Sequence, residues 1–510
     1  TVTVKNATLN STYPYNDTYY GACIYVIQNQ GSSVYAEGNT FNGNNAIAFN
    51  IGTGTALEEK DNTDNTMYYS KGVWYVKSAE KLQTAINNAK AGENNIAFSN
   101  DITGNVTVVQ KPGVKITIDG CAKKYNGFIK VHSNSNHYAD AALTIKNVKF
   151  ETSTPDFNFI EALENGSERY STNITAEDCS FTATGAAVNT TVGLQIKASK
   201  NAKVLNCTAT DMHSLIQAQS CDETVVVNGC TINGKNGVAF KQVKAATVEG
   251  TTITALEYGI RFDGNIDNYG ITVKDNTVSA VQPLIVRKMT GANNTIALDG
   301  TNTLITTAEY QIVITKDSDD KPYAKPTGTY TLTGADAFSV YPRDYYYPVA
   351  TWADFTAGLA ANEAKIRLTA DITYDANYQL QKAVTIDLNG KSMTLPMINI
   401  HKNVTIKNGT INGKMYARTG CKATLEGLTF SGTISDDLST EGHLQVQGSC
   451  DVYAKNCTFA ATGDAEQTAV AARIRQGFNI KFEEVEVENP IYLFAIDDQR
   501  FYLAEDLKYD

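Results

Sequence analysis

Hydrophobic and polar residues alternate along most of this chain in short runs, each of which ends in a turn. The runs share one order: apolar, Thr or Ala, Val or Ile, charged, small, Asn or Cys, Thr, apolar. Clear copies are VYAEGNTF (34–41), LTIKNVKF (143–150), ITAEDCSF (174–181), VTIKNGTI (404–411) and VYAKNCTF (452–459). Alternation with a period of two indicates half-buried strands. Copies recurring every ~20–30 residues predict the rungs of a solenoid.

Two segments depart from this pattern and have helical periodicity. The segment AEKLQTAINNAKAG places Leu82, Ala85, Ile86 and Ala89 on one helical face. The segment WADFTAGLAANEA does the same with Trp352, Phe355 and Leu359. An end rung exposes its core and its sheet edge. The pattern therefore predicts cap helices at about 79–90 and 351–361.

Internal matches divide the chain into modules. Residues 96–103 match 366–373 without a gap at an offset of 270, and residues 35–50 match 272–287 at an offset of 237. We therefore predict the last rungs of a first β-helix module at 1–56, a linker at 57–76 and a complete module at 77–316. A second linker at 317–350, rich in proline, precedes a third module at 351–510.

Composition narrows the function classes. The net charge of −11 and the absence of a basic stripe argue against a nucleic-acid partner. No run of 18 apolar residues is present, so no membrane span is predicted in this segment. Nine cysteines lie without a CxxC pair, and Cys179, Cys207 and Cys230 share one position of the repeated phrase. This pattern predicts a stacked column of free thiols. We predict no metal site and no cofactor.

The cap segment 79–103, the turn at Asp119–Gly120 and the repeated phrase resemble the right-handed parallel β-helix of the pectate-lyase-like superfamily. The stretches RYSTNITAEDCSF (169–181), VGLQIKASKNAKVLNC (192–207) and YGIRFDGN (258–265) resemble tandem β-helix modules of gut-bacterial surface proteins and phage fibre or tail proteins. The resemblance implies an all-β fold of right-handed parallel β-helix solenoids in tandem, each with a short amphipathic N-terminal cap helix. It implies no single activity, because this fold serves lyases, hydrolases, adhesins and phage tail proteins.

The strand before each phrase supplies the candidate ligand site. In GLQIKAS, GVAFKQV and YGIRFDGN the apolar residues are predicted to point inward and the alternate polar residues outward. Rungs about 4.8 Å apart would align the outward residues into rows on one face. The residues predicted to bind a polysaccharide there are Lys197, Lys241, Arg261 and Asp263. Arg261 and Asp263, as i and i+2, would make a surface ion pair.

No catalytic residue is assigned. The pair Asp211 and His213 is interpreted as a turn with a capped histidine. Repetition without a unique acid–base cluster favours a non-enzymatic structural or adhesive segment of an extracellular, cell-surface or virion fibre. Its expected partners are a host or environmental polysaccharide and other copies of the same fibre. The alternative is a tailspike-like depolymerase, either a polysaccharide lyase or a glycoside hydrolase, which would require converging carboxylates or a base in a groove.

Overall fold

The chain folds into a right-handed parallel β-helix. As predicted, one cap helix lies before the rungs of the middle module and another before those of the third. The computed structural model describes residues 2–11, 22–27, 33–43, 45–50, 56–70, 72–133, 138, 140–162, 173–317, 324–432, 442–460, 470–475, 477–488, 492–496 and 499–502. Two compact units cover residues 1–344 and 345–510. Apart from two antiparallel pairs, which join 63–70 to 73–76 and 492–496 to 499–502, the strands of the described part pair in parallel.

Three long sheets form the walls of the first unit. Sheet 1 has 14 strands, in the order Thr8–Asn10, Thr40–Gly43, Thr63–Ser70, Val73–Val76, Gly92–Phe98, Val114–Asp119, Ala142–Lys146, Ile174–Glu177, Ala202–Leu205, Thr224–Asn228, Ala245–Glu249, Gly270–Lys274, Asn294–Asp299 and Tyr330–Thr333. Sheet 2 has nine, in the order Ile102–Thr103, Lys124–Asn126, Lys149–Thr152, Ser180–Ala183, Thr208–Met212, Thr231–Gly234, Thr252–Ala255, Thr277–Ser279 and Thr303–Ile305.

Sheet 3 completes each rung before the chain returns to sheet 1. Its ten strands are Val106–Val109, Ile129–His132, Asn158–Ala162, Val192–Lys197, Ser214–Gln219, Val238–Lys241, Tyr258–Asp263, Gln282–Arg287, Ile312–Ile314 and Val340–Tyr341. Two smaller sheets of this unit comprise Val2–Lys5, Ser33–Glu37 and Ala56–Lys60, and Ala22–Ile27 with Asn45–Asn50. A short 3₁₀ helix spans Gly185–Ala187.

The second unit forms one connected sheet of 16 strands. They are Tyr347–Val349, Lys365–Leu368, Ile372–Thr373, Tyr378–Leu380, Val384–Asp387, Ser392–Ile400, Val404–Ala417, Lys422–Ser431, Leu444–Val446, Cys450–Lys455, Thr458–Ala460, Val470–Ile474, Gly477–Glu483, Glu486–Glu488, Tyr492–Ile496 and Gln499–Tyr502.

Helix α1 (Ala79–Asn87) and helix α2 (Trp352–Ala360) begin at polar N-caps. The Ser78 hydroxyl accepts a hydrogen bond from the Lys81 amide, while Thr351 and Asp354 form a reciprocal capping box. Helix α1 buries Leu82, Ala85 and Ile86, and helix α2 buries Phe355 and Leu359, as predicted.

Helix α1 also covers the edge of sheet 3. The Gln83 amide donates to the Thr107 carbonyl oxygen at 2.8 Å, and the Thr107 amide donates to Gln83 Oε1 at 2.7 Å. The side chain of Gln83 therefore satisfies edge groups of the strand Val106–Val109 that a further rung would otherwise satisfy.

The predicted cysteine column is confirmed. All nine cysteines are free, and Cys179, Cys207 and Cys230 lie buried in successive rungs. A hydrogen bond with Cys179, together with burial, raises the pKa of Cys207, and burial raises the pKa of Cys230 to about 11. Thr251 and Asn276 continue the column. The thiols of Cys207 and Cys230 are therefore protonated at neutral pH, and the buried column packs as small apolar residues.

The predicted linkers contain paired strands. Val73–Val76 pairs with Gly92–Phe98, and Tyr330–Thr333 pairs with Asn294–Asp299. The hydrophobic core of the middle module runs from Val76 to Val340, and a separate small cluster surrounds Phe41. We therefore propose that the middle module extends outward beyond both predicted ends, 77 and 316.

We predict that residues 72–344 fold on their own and melt at a higher temperature than residues 77–316. The longer segment keeps the strands that cover both ends of the core, whereas the shorter one exposes apolar surface and sheet edges. Circular dichroism melting of the two excised segments would test this. Equal melting temperatures, or aggregation of the longer segment alone, would contradict the boundaries.

Candidate polysaccharide-binding face

The outer side of sheet 3 carries the predicted ligand-binding residues. Small residues bring these strands close together: a Cβ at Gly193 would lie 2.5 Å from the Leu215 carbonyl oxygen, and one at Gly237 would lie 2.2 Å from that of Gly259. The apolar alternates predicted to face inward, such as Leu194, Ile260 and Phe262, are buried. We call the outer side of this sheet, between Asn158 and Arg287, the polar face.

Two rows of side chains follow the polar face from rung to rung. The first row is Glu161, Gln195, Gln217, Ala239, Arg261 and Ile285. The second row is Lys197, Gln219, Lys241, Asp263 and Arg287. The pairing register thus brings three of the four predicted residues into one row, and Arg261 into the row beside it. Lys197 and Lys241 lie two rungs apart, about 10 Å along the stack.

Asp263 corrects one expectation. It lies in the predicted row, but its side chain is only 5% exposed, and it pairs with Arg287 Nε at 3.7 Å and Lys288 Nζ at 3.8 Å. The expected surface ion pair between Arg261 and Asp263 is wrong, because Asp263 pairs instead with Arg287 and Lys288, which follow one rung later. Asp263 therefore acts as a buried counter-charge for Arg287 and Lys288.

Arg261 has an unusual environment. Its guanidinium carbon lies 5.8 Å from the centre of the Tyr258 ring. Its Nε is buried and has no hydrogen-bond acceptor among the residues that the structure describes. A buried donor without an acceptor costs about 1–3 kcal/mol. Because Nε is inaccessible, an anionic ligand can reach this guanidinium only at its terminal nitrogens, where two oxygens in a plane would accept paired hydrogen bonds.

A cleft on the polar face, two rungs before Arg261, contains groups that the sequence analysis did not assign to a ligand site. The cleft encloses about 430 Å³, and its lining comprises Asp156, Asn158, Asn189, Thr190, Val192, His213, Gln217 and Lys235. Gln217 also belongs to the first row, so cleft and row form one surface. Across its edge Lys235 Nζ lies 3.5 Å from Glu257 Oε1.

His213 is held in this cleft in a neutral form. Burial lowers its pKa, and the positive charges of Lys235 and Arg261 lower it further, although the Asn189 carbonyl and Glu257 act in the opposite direction. His213 Nδ1 lies 3.3 Å from the Asn189 carbonyl oxygen. A carbonyl only accepts, so the proton sits on Nδ1 and Nε2 keeps a lone pair. The feature of the sequence that could have pointed to this cleft is the position of His213 directly before the strand Ser214–Gln219.

The second unit has a similar row of polar side chains. It runs through Gln379, Asn399, Tyr416, Gln445 and Arg473. Arg418 stacks on Tyr416 with 3.5 Å between its guanidinium carbon and the ring centre, and donates to Asn399 Oδ1 at 2.7 Å. Gln445 and Arg473, expected to point outward, are buried. Arg473 in the motif ARIRQG thus occupies the same position of its strand as Arg261 does in the motif YGIRFDGN of the first unit.

Comparison with known proteins gives a likeness of fold alone. No protein-family model and no curated protein sequence matches the chain. Among solved structures, the PL6 family alginate lyase AlyGC is similar. A single-residue mutant of it has a TM-score of 0.19 at 9% identity, over 82% of this chain and 89% of that one. The structure without that mutation gives 0.16 at 9% identity, over 83% and 86%.

Within the described ranges, no group of three or more His, Cys, Asp or Glu side chains is arranged to hold a metal ion. The same ranges contain no helix long and apolar enough to cross a membrane. The polar face and its cleft combine cations and amides with the imidazole of His213 and the carboxylates of Asp156, Glu161 and Asp263.

Proposed function

We propose that this protein is an extracellular, cell-surface or virion β-helix scaffold that binds an anionic polysaccharide along the polar face. The observation that carries the proposal is the position of Arg261 on the polar face, where it is half-buried and has no carboxylate partner among the described residues. A carboxylate or sulfate group of a sugar polymer supplies the missing counter-charge at the terminal nitrogens of the guanidinium.

The charges of the polar face favour an anionic over a neutral polymer. The two rows and Lys288 contribute five cations, Lys197, Lys241, Arg261, Arg287 and Lys288, against two carboxylates, Glu161 and Asp263. The chain as a whole carries −11. A local excess of positive charge on an acidic protein attracts anions selectively.

The geometry favours an extended polymer over a small molecule. The rows repeat at about 4.8 Å, so successive rungs present donors at regular intervals. Each exposed contact is weak, and several must act together for useful affinity. A polymer that carries one charged group per sugar can make such a series of contacts.

Substitution of Arg261 by alanine is expected to weaken binding of a polyuronate such as alginate about 10–100-fold, because a charge-assisted contact contributes about 1.5–3 kcal/mol. Arg261→Lys should recover only part of the affinity, since it keeps the charge but loses the planar fork. Calorimetric titration at two salt concentrations would measure both. Lys203→Ala, on the exposed outer side of sheet 1, is the matched control. Equal affinities for Arg261→Ala and Lys203→Ala would contradict the proposed site.

The second candidate function is eliminative cleavage of the same polymer, and the neutral His213 favours it. A base at Nε2 would take the proton next to a uronate carboxylate, whose charge a nearby cation neutralises. The electron pair would form a carbon–carbon double bond as the glycosidic oxygen leaves and takes a proton. Release of ultraviolet-absorbing unsaturated ends by the wild type, and not by His213→Gln, would establish cleavage. Binding without such ends would leave the scaffold function.

A further inference from the structure

The outer side of sheet 2 in the middle module is a flat field of hydroxyl groups. One row is Ser180, Thr208, Thr231, Thr252, Thr277 and Thr303, and the row beside it is Thr182, Thr210, Asn233, Thr254, Ser279 and Ile305. Six rungs hold this register without interruption, and none of the twelve positions carries a charge. We call these twelve residues the threonine face.

The β-strand preference of threonine does not explain this face by itself. Sheet 1 is built from the same rungs and has its own threonine row, which includes Thr117, Thr144 and Thr175. The next row on sheet 1, however, is charged, with Lys146 3.5 Å from Asp119 and Lys274 2.6 Å from Glu249. Strand propensity acts equally on both sheets, so it does not account for the missing charges of the threonine face.

The hydroxyl groups are exposed and available. Thr208, Thr231, Thr252, Thr277 and Thr303 are all exposed. Their side chains make no hydrogen bond to any residue in the described part of the chain. Each hydroxyl therefore has a donor and acceptor capacity that only water or a partner can use.

Apolar side chains extend the same face at one edge. Leu256, Val281 and Ile305 are 64%, 44% and 52% exposed. They continue the alternation of the strands that contain Thr252, Thr277 and Thr303. Among the described residues, five large apolar side chains are exposed, and these three lie on neighbouring rungs. Single exposed apolar residues are ordinary, but a contiguous group marks an interaction surface.

We propose that the threonine face is a self-association surface, on which a second copy of this chain packs face to face. A hydroxyl both donates and accepts, so two such fields can satisfy each other in a two-fold arrangement, whereas a face of one charge sign repels its copy. For an acidic chain with a net charge of −11, a face without charges is where two copies approach with the least repulsion.

The chemistry of the face disfavours a sugar ligand as its occupant. The threonine face has neither the cations that attract an anionic sugar polymer nor an aromatic side chain on which a sugar ring could stack. The face is also small, because its twelve residues with Leu256 and Val281 make 14, against about 20–30 on each side of a standard stable interface. We therefore expect a weak association that becomes visible with increasing protein concentration.

Sedimentation velocity of the full chain over a range of concentrations tests the proposal. The wild type should shift from monomer to dimer. A variant carrying Thr252→Lys and Thr254→Lys should associate at least tenfold more weakly, because the new charges face each other. The matched control carries Thr247→Lys and Thr272→Lys on sheet 1, whose row already contains Lys203. It should associate like the wild type.

A second variant guards against a folding defect. Leu256→Lys with Val281→Lys changes only side chains that already lie in water, so it should fold and still reduce association. A wild type that stays monomeric at every concentration overturns the proposal, and so does association unchanged in both face variants. Failure here leaves the polar face untouched, because polyuronate binding is measured on sheet 3.

Discussion

Replacing Phe181 with alanine is expected to destabilise the first unit by about 3–5 kcal/mol. The Phe181 ring is fully buried and stacks on Phe150 with 4.9 Å between ring centres, and Phe159 lies 5.9 Å away. The substitution leaves a cavity between two rungs. A solenoid has no distant contacts with which to compensate, since each rung packs only on its neighbours.

Urea unfolding followed by circular dichroism measures this loss. Leu256→Ala is the matched control, because its side chain is exposed and its loss should change the free energy of unfolding by less than about 0.5 kcal/mol. Equal unfolding midpoints for the two variants would mean that the stack of Phe150 and Phe181 does not hold the rungs together.

Replacing Asn276 with alanine is expected to have the second large effect. The buried side chain accepts a hydrogen bond from the Thr251 amide at 2.9 Å and donates one to the Val248 carbonyl oxygen at 2.8 Å. Alanine leaves both backbone groups buried without a partner, at about 1–3 kcal/mol each. The turn between sheets 1 and 2 should therefore open more readily.

Hydrogen exchange at the Thr251 amide, together with urea unfolding, reports on this turn. Asn233→Ala is a suitable control, because Asn233 is exposed in the threonine face. Faster exchange at Thr251 in the Asn276 variant only is the expected result. Unchanged exchange would contradict a stabilising role of the asparagine in the column.

Several features of the fold were predictable because their causes are local. Alternation decides which side chains a strand buries, and Leu194, Ile260 and Phe262 obey it. Helical periodicity behind a capping residue decides where α1 and α2 begin. The cysteine column followed from one shared phrase position, since residues that stack in adjacent rungs experience the same space.

The outcome for Asp263 shows what a local pattern omits. Alternation placed it correctly beside Lys241 in the second row. Its burial depends on Arg287 and Lys288, which are 24 and 25 positions further along the chain and reach it only after one full rung. The environment of His213 also depends on a distant residue. Its ring contacts the carbonyl of Asn189, 24 positions earlier, and not the neighbouring Asp211.

The sequence by itself determined the solenoid, its rung length, the cap helices, the inward residues and the rows in which Lys197, Lys241 and Arg261 lie, because strand and helix periods act over a few residues. Only the tertiary structure decided that Asp263 is buried, that Arg261 keeps an unpaired Nε and that Val73–Val76 and Tyr330–Thr333 pair with the strands Gly92–Phe98 and Asn294–Asp299. Burial, ion pairing and edge pairing arise between rungs. Their partners are set by the exact number of residues in each turn, and a repeating pattern does not encode that number.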